Sequence, residues 1–140
     1  MKIMLDVNAR IPTKAHDDDG GFDLYAPESH FIEPNGSVVI NTGVHVELPP
    51  NTAGLLVSKS GLNIRHGITS GNGLIDVGYT GSIRVKLYNR KSRGYMVNKG
   101  DKISQLVIVK LFPVGNKDLE VVDKLESTER GANGFGSTGK

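Results

Sequence analysis

The stretch Ser82-Ile83-Arg84-Val85-Lys86-Leu87-Tyr88 alternates apolar and polar side chains without a break. In an extended chain successive residues face opposite sides, so Ile83, Val85 and Leu87 form one apolar face and Arg84, Lys86 and Tyr88 a polar one. A second run, Lys102 to Val109 (KISQLVIV), ends almost continuously apolar, which predicts a strand buried on both sides. Around these two lie shorter runs rich in β-branched residues: Met1 to Val7, Ser37 to Ile40, Gly43 to Leu48, Ala53 to Ser58 and Leu119 to Val122. Eighteen glycines and six prolines punctuate the chain, and no segment sustains a helical period for long. Only Gly61 to His66 reads as a single helical turn. The pattern predicts a mainly β protein, a jelly-roll-like β-sandwich or barrel.

With 140 residues, the chain suits one domain able to bury its own core. We expect that domain over residues 1–126, followed by a flexible arm over 127–140. The arm, STERGANGFGSTGK, has four glycines and one large apolar residue, Phe135, so it cannot build a core of its own. Cysteine is absent, which removes disulfides and thiolate metal sites. The four histidines, His16, His30, His45 and His66, lack metal-ligand spacing and read as surface or strand residues. A net charge of +2 with dispersed basic residues argues against DNA or RNA as a partner. Neither a signal peptide nor a membrane-spanning run is legible, so the expected setting is the cytoplasm, with no membrane partner.

Several segments carry possible chemistry. Gly134, Gly136 and Gly139 satisfy GxGxxG, but no strand leads in and no helix follows, so the dinucleotide reading is rejected. The same segment, with Arg130, Ser137 and Thr138, still offers donors for a phosphate chain, and Phe135 offers a face for a planar ring. In SKSG, Lys59, Ser60 and Gly61 suit a phosphate oxygen, although a plain turn would use the same residues. Gly71 to Gly81 (GNGLIDVGYTG) reads as a hairpin holding one carboxylate, Asp76, and one aromatic, Tyr79. Its unsaturated backbone suits a base edge, while Asp76 as a turn former and Tyr79 as a packing residue are the plainer readings.

In order along the chain, AHDDDGGFDLY, SKSGL, GLIDVGYTG, GDKISQL and RGANGFGSTG resemble the five motifs of the trimeric dUTPase family over nearly the whole length. The resemblance implies a homotrimer with shared active sites that hydrolyses dUTP to dUMP and pyrophosphate with Mg2+. Such an enzyme supplies dUMP for thymidylate synthesis and keeps uracil out of DNA. It further implies that Asp76 is the general base on the attacking water and that Tyr79 lies under the deoxyribose. The backbone of Gly73 and Leu74 would read uracil. Lys59, Ser60, Gly61 and Gln105 would bind phosphates, Asp23 would hold the metal through water, and Arg130, Phe135, Gly136, Ser137 and Thr138 would close the site.

The chain departs from the family pattern at four places. Lys59 stands where arginine is usual, Gly78 replaces a second acid, Asn133 replaces a glycine, and DDDGG replaces a run richer in small residues. Two other readings are weighed. A dCTP deaminase, similar in fold, needs a glutamate on the strand where this chain has Lys86. A non-catalytic binding protein would have no need for an acid, an arm and phosphate donors together.

Overall fold

The computed structural model of the protein describes residues 1–133. It contains eleven strands in these residues, all paired antiparallel. They are β1 (Lys2–Leu5), β2 (Phe22–Tyr25), β3 (His30–Ile32), β4 (Ser37–Asn41), β5 (Val44–Glu47), β6 (Thr52–Ser58), β7 (Ile68–Ser70), β8 (Gly73–Ile75), β9 (Arg84–Asn89), β10 (Tyr95–Val97) and β11 (Lys102–Lys110). A four-stranded sheet has the order β2-β11-β6-β8, and a three-stranded sheet the order β4-β9-β7. Two ribbons, β1-β5 and β3-β10, complete the set. The expected mainly β, jelly-roll-like architecture is present as packed sheets rather than as a closed barrel among the described residues.

Alternation builds the core as the sequence foretold. Val85 and Leu87 of β9 are fully buried while Arg84 and Lys86 are exposed. They meet Ile40 and Ile68 from the same sheet and Leu24, Leu56, Ile75 and Leu106 from the other. Burying each such side chain contributes about 1.5–3 kcal/mol. Polar side chains inside this core are satisfied. Asn89 donates from Nδ2 to the carbonyls of Arg93 at 2.7 Å and Glu33 at 3.1 Å, and its Oδ1 accepts from the Lys91 N–H at 3.0 Å. Ser104 Oγ donates to the Val57 carbonyl at 2.9 Å, tying β11 to β6.

Three expectations change. The apolar end of β11 is only half-buried, because β2 stops opposite Leu106 and leaves Val107, Ile108 and Val109 paired with β6 alone. Leu119 to Val122 forms no strand, since no partner strand lies beside it in this chain. Gly71 to Gly81 is not a hairpin: β8 joins β6 in one sheet, whereas β7 and β9 belong to the other. The chain crosses between sheets at Gly71 and Asn72, and again through the loop Asp76–Ile83. The helical turn is found at Leu62–His66 and ends at Gly67, whose φ of +66° is left-handed.

Candidate active site

The candidate residues fall into two groups, one along β8 beside the middle of β6 and leading toward its Thr52 end, the other around its Ser58 end. The first is built around β8, the edge of the four-stranded sheet. Gly54, Leu55 and Leu56 of β6 pair with Ile75, Leu74 and Gly73 on one side, and among the described residues no strand covers the other. Backbone N–H and C=O groups on that free edge are therefore available to a planar ring with donors and acceptors of its own. A Cβ on Gly73 would stand 3.0 Å from a Leu56 methyl carbon, so glycine is what allows β8 to lie this close. Gly73, Leu74, Asp76 and Tyr79 line one recess of about 260 Å³ with Leu56, Ile83 and Arg84.

Immediately after β8 the chain turns. The Tyr79 N–H donates to the Asp76 carbonyl at 3.1 Å, and Gly78 adopts a φ of +89° within that turn. That conformation suits glycine, because a side chain at Gly78 would meet backbone strain even though the space around it is open. Tyr79 folds back over Gly81, where a Cβ would overlap the ring, and its hydroxyl donates to the Ser82 carbonyl at 3.2 Å. The ring stays 44% exposed, leaving a face for a ligand. Asp76 is exposed as well.

The second group surrounds Asp23. In the pairing register Asp23 of β2, Gln105 of β11 and Val57 of β6 stand side by side, so all three point to the sheet face away from the core. Lys59, two residues past Val57, reaches back to donate from Nζ to Asp23 Oδ1 at 2.7 Å. Lys102 Nζ meets Oδ2 at 2.7 Å. Strict alternation would have put Lys102 on the core face with Ser104 and Leu106. A bulge at Ile103, between the pairs Lys102↔Tyr25 and Ser104↔Leu24, shifts it by one residue and so onto the face of Asp23. Lys102 is the site neighbour that sequence reading missed, and no local signal announces the bulge.

The Asp23 side chain is only 3% exposed. Burial pushes its carboxyl up, but the hydrogen bonds and charges of Lys102 and Lys59 outweigh this and hold it below the usual carboxylate value. Its hydrogen bond in turn raises Lys102 above the ordinary lysine value. One carboxylate between two ammonium groups leaves one positive charge in excess, beside Gln105. Ser60 and Gly61 follow Lys59 and are exposed ahead of the helical turn. Both oxygens of Asp23 already accept an ammonium. Among the described residues no group of three or more His, Cys, Asp or Glu side chains is placed to hold a metal. The residues present fit a cation brought in by a ligand's own oxygens rather than one held in a protein-built cage.

From β11 onward the chain leaves the body. Every residue from Leu111 to Asn133 is exposed, including Phe112 at 87%, Val121 at 99% and Leu125 at 81%. Arg130 lies here, its Nε donating to the Asn133 carbonyl at 3.3 Å. Phe135, Gly136, Ser137 and Thr138 lie outside the described residues.

A β-sandwich with an unpaired strand edge among the described residues and a cationic cluster nearby suits a nucleotide-handling protein. The dUTPase family profile matches residues 7–139, and the chain belongs to the dUTPase family. It is 44% identical over 133 residues to the deoxyuridine 5'-triphosphate nucleotidohydrolase of Clostridium kluyveri, covering 94% of this chain and 91% of that one. The dUTPase of Staphylococcus bacteriophage 80alpha, solved with dUpNHpp, superposes with a TM-score of 0.91 at 32% identity, covering 99% of this chain and 98% of that one. A variant dUTPase from phage phi11 of S. aureus, described as coordinating a structural Mg(II) ion, gives 0.81 at 29% identity over 90% of this chain and 98% of that one. No helix among the described residues is long and apolar enough to cross a membrane.

Proposed function

We propose that the protein hydrolyses dUTP to dUMP and pyrophosphate with Mg2+, at sites shared between the subunits of a homotrimer. One geometric observation carries the shared site. Because β8 runs antiparallel to β6, going from Gly73 to Asp76 means moving away from Lys59: Gly73 faces Leu56, Ile75 faces Gly54, and Lys59 lies past the opposite end. At about 3.3 Å per residue the two ends of β6 are roughly 15–20 Å apart. A nucleotide with its base along Gly73 and Leu74 and its α-phosphate at Asp76 directs its phosphates away from its own chain's Lys59 and Ser60. The phosphate donors must then come from a second copy. The exposed apolar residues of Leu111–Asn133 need a surface to cover them, which a neighbouring subunit would supply.

In that assembly the free edge of β8 pairs with the uracil edge, and cytosine, with donor and acceptor reversed, is refused. Tyr79 lies beneath the deoxyribose and leaves no room for a 2′-hydroxyl. Asp76 orients a water and takes its proton as the oxygen attacks the α-phosphorus, and the bond to the bridging oxygen breaks to release pyrophosphate. Lys59, Ser60, Gly61 and Gln105 hold phosphate oxygens, with Lys59 kept in place by Asp23. Arg130, Ser137, Thr138 and Gly136 close over the phosphates while Phe135 stacks on the base. Magnesium carried on the triphosphate would neutralise charge as pyrophosphate departs, with Asp23 contacting it only through water. The setting is the cytoplasm, where the product feeds thymidylate synthesis and uracil is kept out of DNA.

Product analysis tests this. The protein is mixed separately with dUTP, dCTP, TTP and UTP in the presence of magnesium, and the expected result is pyrophosphate from dUTP alone. Ammonia from dCTP would instead establish a deaminase, and silence with all four nucleotides would leave a binding protein.

A further inference from the structure

We propose that His45 is a positioning residue that holds the Tyr79 side of the recess in place through Thr80, and so tunes discrimination at the sugar. The inference rests on the dUTP reading above for its consequence, though not for its geometry. His45 sits in the middle of β5 with its side chain 17% exposed. Its Nδ1 lies 2.7 Å from the carbonyl oxygen of Thr80, the residue after Tyr79, and its Nε2 lies 3.1 Å from Asp6 Oδ1. Asp6 is itself fixed: its N–H donates to the Gly43 carbonyl at 2.8 Å, and a Cβ on Gly43 would come within 3.1 Å of the Asp6 Cβ.

The other restraints on the Asp76–Ile83 loop lie elsewhere along it. Asp76 and Tyr79 close their own turn, Ser82 hydrogen-bonds Asn41, and the Thr42 N–H holds the Ile83 carbonyl at 3.0 Å. Among the described residues, His45 alone ties Thr80 to the body of the chain. A stability-only role would place this histidine anywhere on the ribbon. Its ring instead bridges the carboxylate of Asp6, whose backbone is held by Gly43, to the residue that follows the proposed sugar platform.

The bridge is complete only when both ring nitrogens carry hydrogen, because both acceptors are oxygens. A neutral ring keeps one N–H and turns a lone pair toward the other oxygen. The charged groups on the elements against it are Asp6 and the Lys2–Glu47 pair, whose members neutralise each other at 3.0 Å. The Thr80 carbonyl, followed by Asp6, holds His45 above the usual histidine value. The folded-state value is raised, so the full anchor is present below the ordinary histidine value and is lost as pH rises through the raised one.

The test compares the full-length chain with His45→Ala and with His45→Asn, whose amide N–H replaces Nδ1–H but does not titrate. Steady-state pyrophosphate release from dUTP and UTP is measured from about pH 5.5 to about 9, a window centred on imidazole titration. His45→Ala should raise KM for dUTP about fivefold, as expected for one lost hydrogen bond, with kcat changed less than about twofold and the preference over UTP narrowed. His45→Asn should restore KM and flatten the rise of KM with pH that is expected of the native chain. Unchanged KM in His45→Ala, or a native pH profile in His45→Asn, overturns the proposal. Amide hydrogen exchange over residues 76–81 provides a second readout that needs no turnover. Faster exchange there in His45→Ala, with the β1-β5 ribbon unaltered, is expected, and unchanged exchange overturns the inference. If the native chain does not hydrolyse dUTP, the functional reading fails and exchange alone decides the role of His45.

Discussion

The β8 edge and the Ser58 end of β6 are built for the proposed reaction from opposite materials. Along β8, beside Gly54–Leu56, the chain offers main chain: a strand edge unpaired among the described residues, a glycine where a side chain would obstruct, and one exposed acid and one aromatic. At the Ser58 end it offers side chains: a buried carboxylate flanked by two lysines, with Gln105 alongside. Recognition of a base edge depends on directional donors and acceptors at fixed spacing, which a strand edge supplies without rotamer freedom. Handling a polyphosphate requires charge, which only side chains carry, and they must be held against repulsion and solvent by a counter-ion. That division explains why Asp23 is buried and doubly paired while Asp76 stays exposed, where a water and a proton can reach it.

The contrast can be broken at several points. Asp76→Asn should lower turnover of dUTP by about 10²–10⁴-fold while leaving nucleotide binding intact, because an amide cannot accept the water's proton. Binding by calorimetry and pyrophosphate release together check this, and near-native turnover would remove Asp76 from its role. Ending the chain before Arg130 should preserve the fold and the trimer but remove most activity. Circular dichroism, light scattering and turnover separate these outcomes, and normal turnover would refute the arm's part.

At the charged end the first casualty should be stability. Asp23→Asn leaves Lys59 and Lys102 facing each other without a counter-ion. Breaking a buried pair costs about 3–5 kcal/mol, which we reduce to about 2–3 because both lysines reach solvent. Denaturant unfolding measures it. The carboxyl of Asp23 is depressed in the folded state, so its contribution is present above the unfolded value of about 3.9 and is lost as pH falls below that toward the folded value. The acid limb of the stability profile should therefore flatten in Asp23→Asn. The smallest effect is expected at Gly78→Ala. Its φ of +89° is poorly suited to a side chain, and a loss of about 1 kcal/mol should appear as a small drop in melting temperature with the fold unchanged.

The candidate residues were legible because they announce themselves locally. Asp76 and Tyr79 lie in one short Gly-rich segment, and Lys59, Ser60 and Gly61 stand together at a strand end. What sequence could not show was their grouping. Reading Gly71 to Gly81 as a hairpin assumed that neighbours in sequence pair with each other. β8 instead pairs with β6, because Gly73 packs against Leu56 and Ile75 enters the core between the sheets. Lys102 was missed because alternation, taken at face value, points it inward.

The amino-acid order by itself determined the strand character of the chain, the faces of β9, the helical turn near Leu62 and the family of motifs, since each depends on residues within a few positions of one another. Only the tertiary structure decided that β8 is an edge among the described residues, that a bulge at Ile103 hands Asp23 a second lysine, and that β8 lies beside the middle of β6 while Lys59 follows its Ser58 end. Those facts depend on which distant strands pair and in what register. Register is fixed by the packing of whole faces against each other, which no local run of residues specifies.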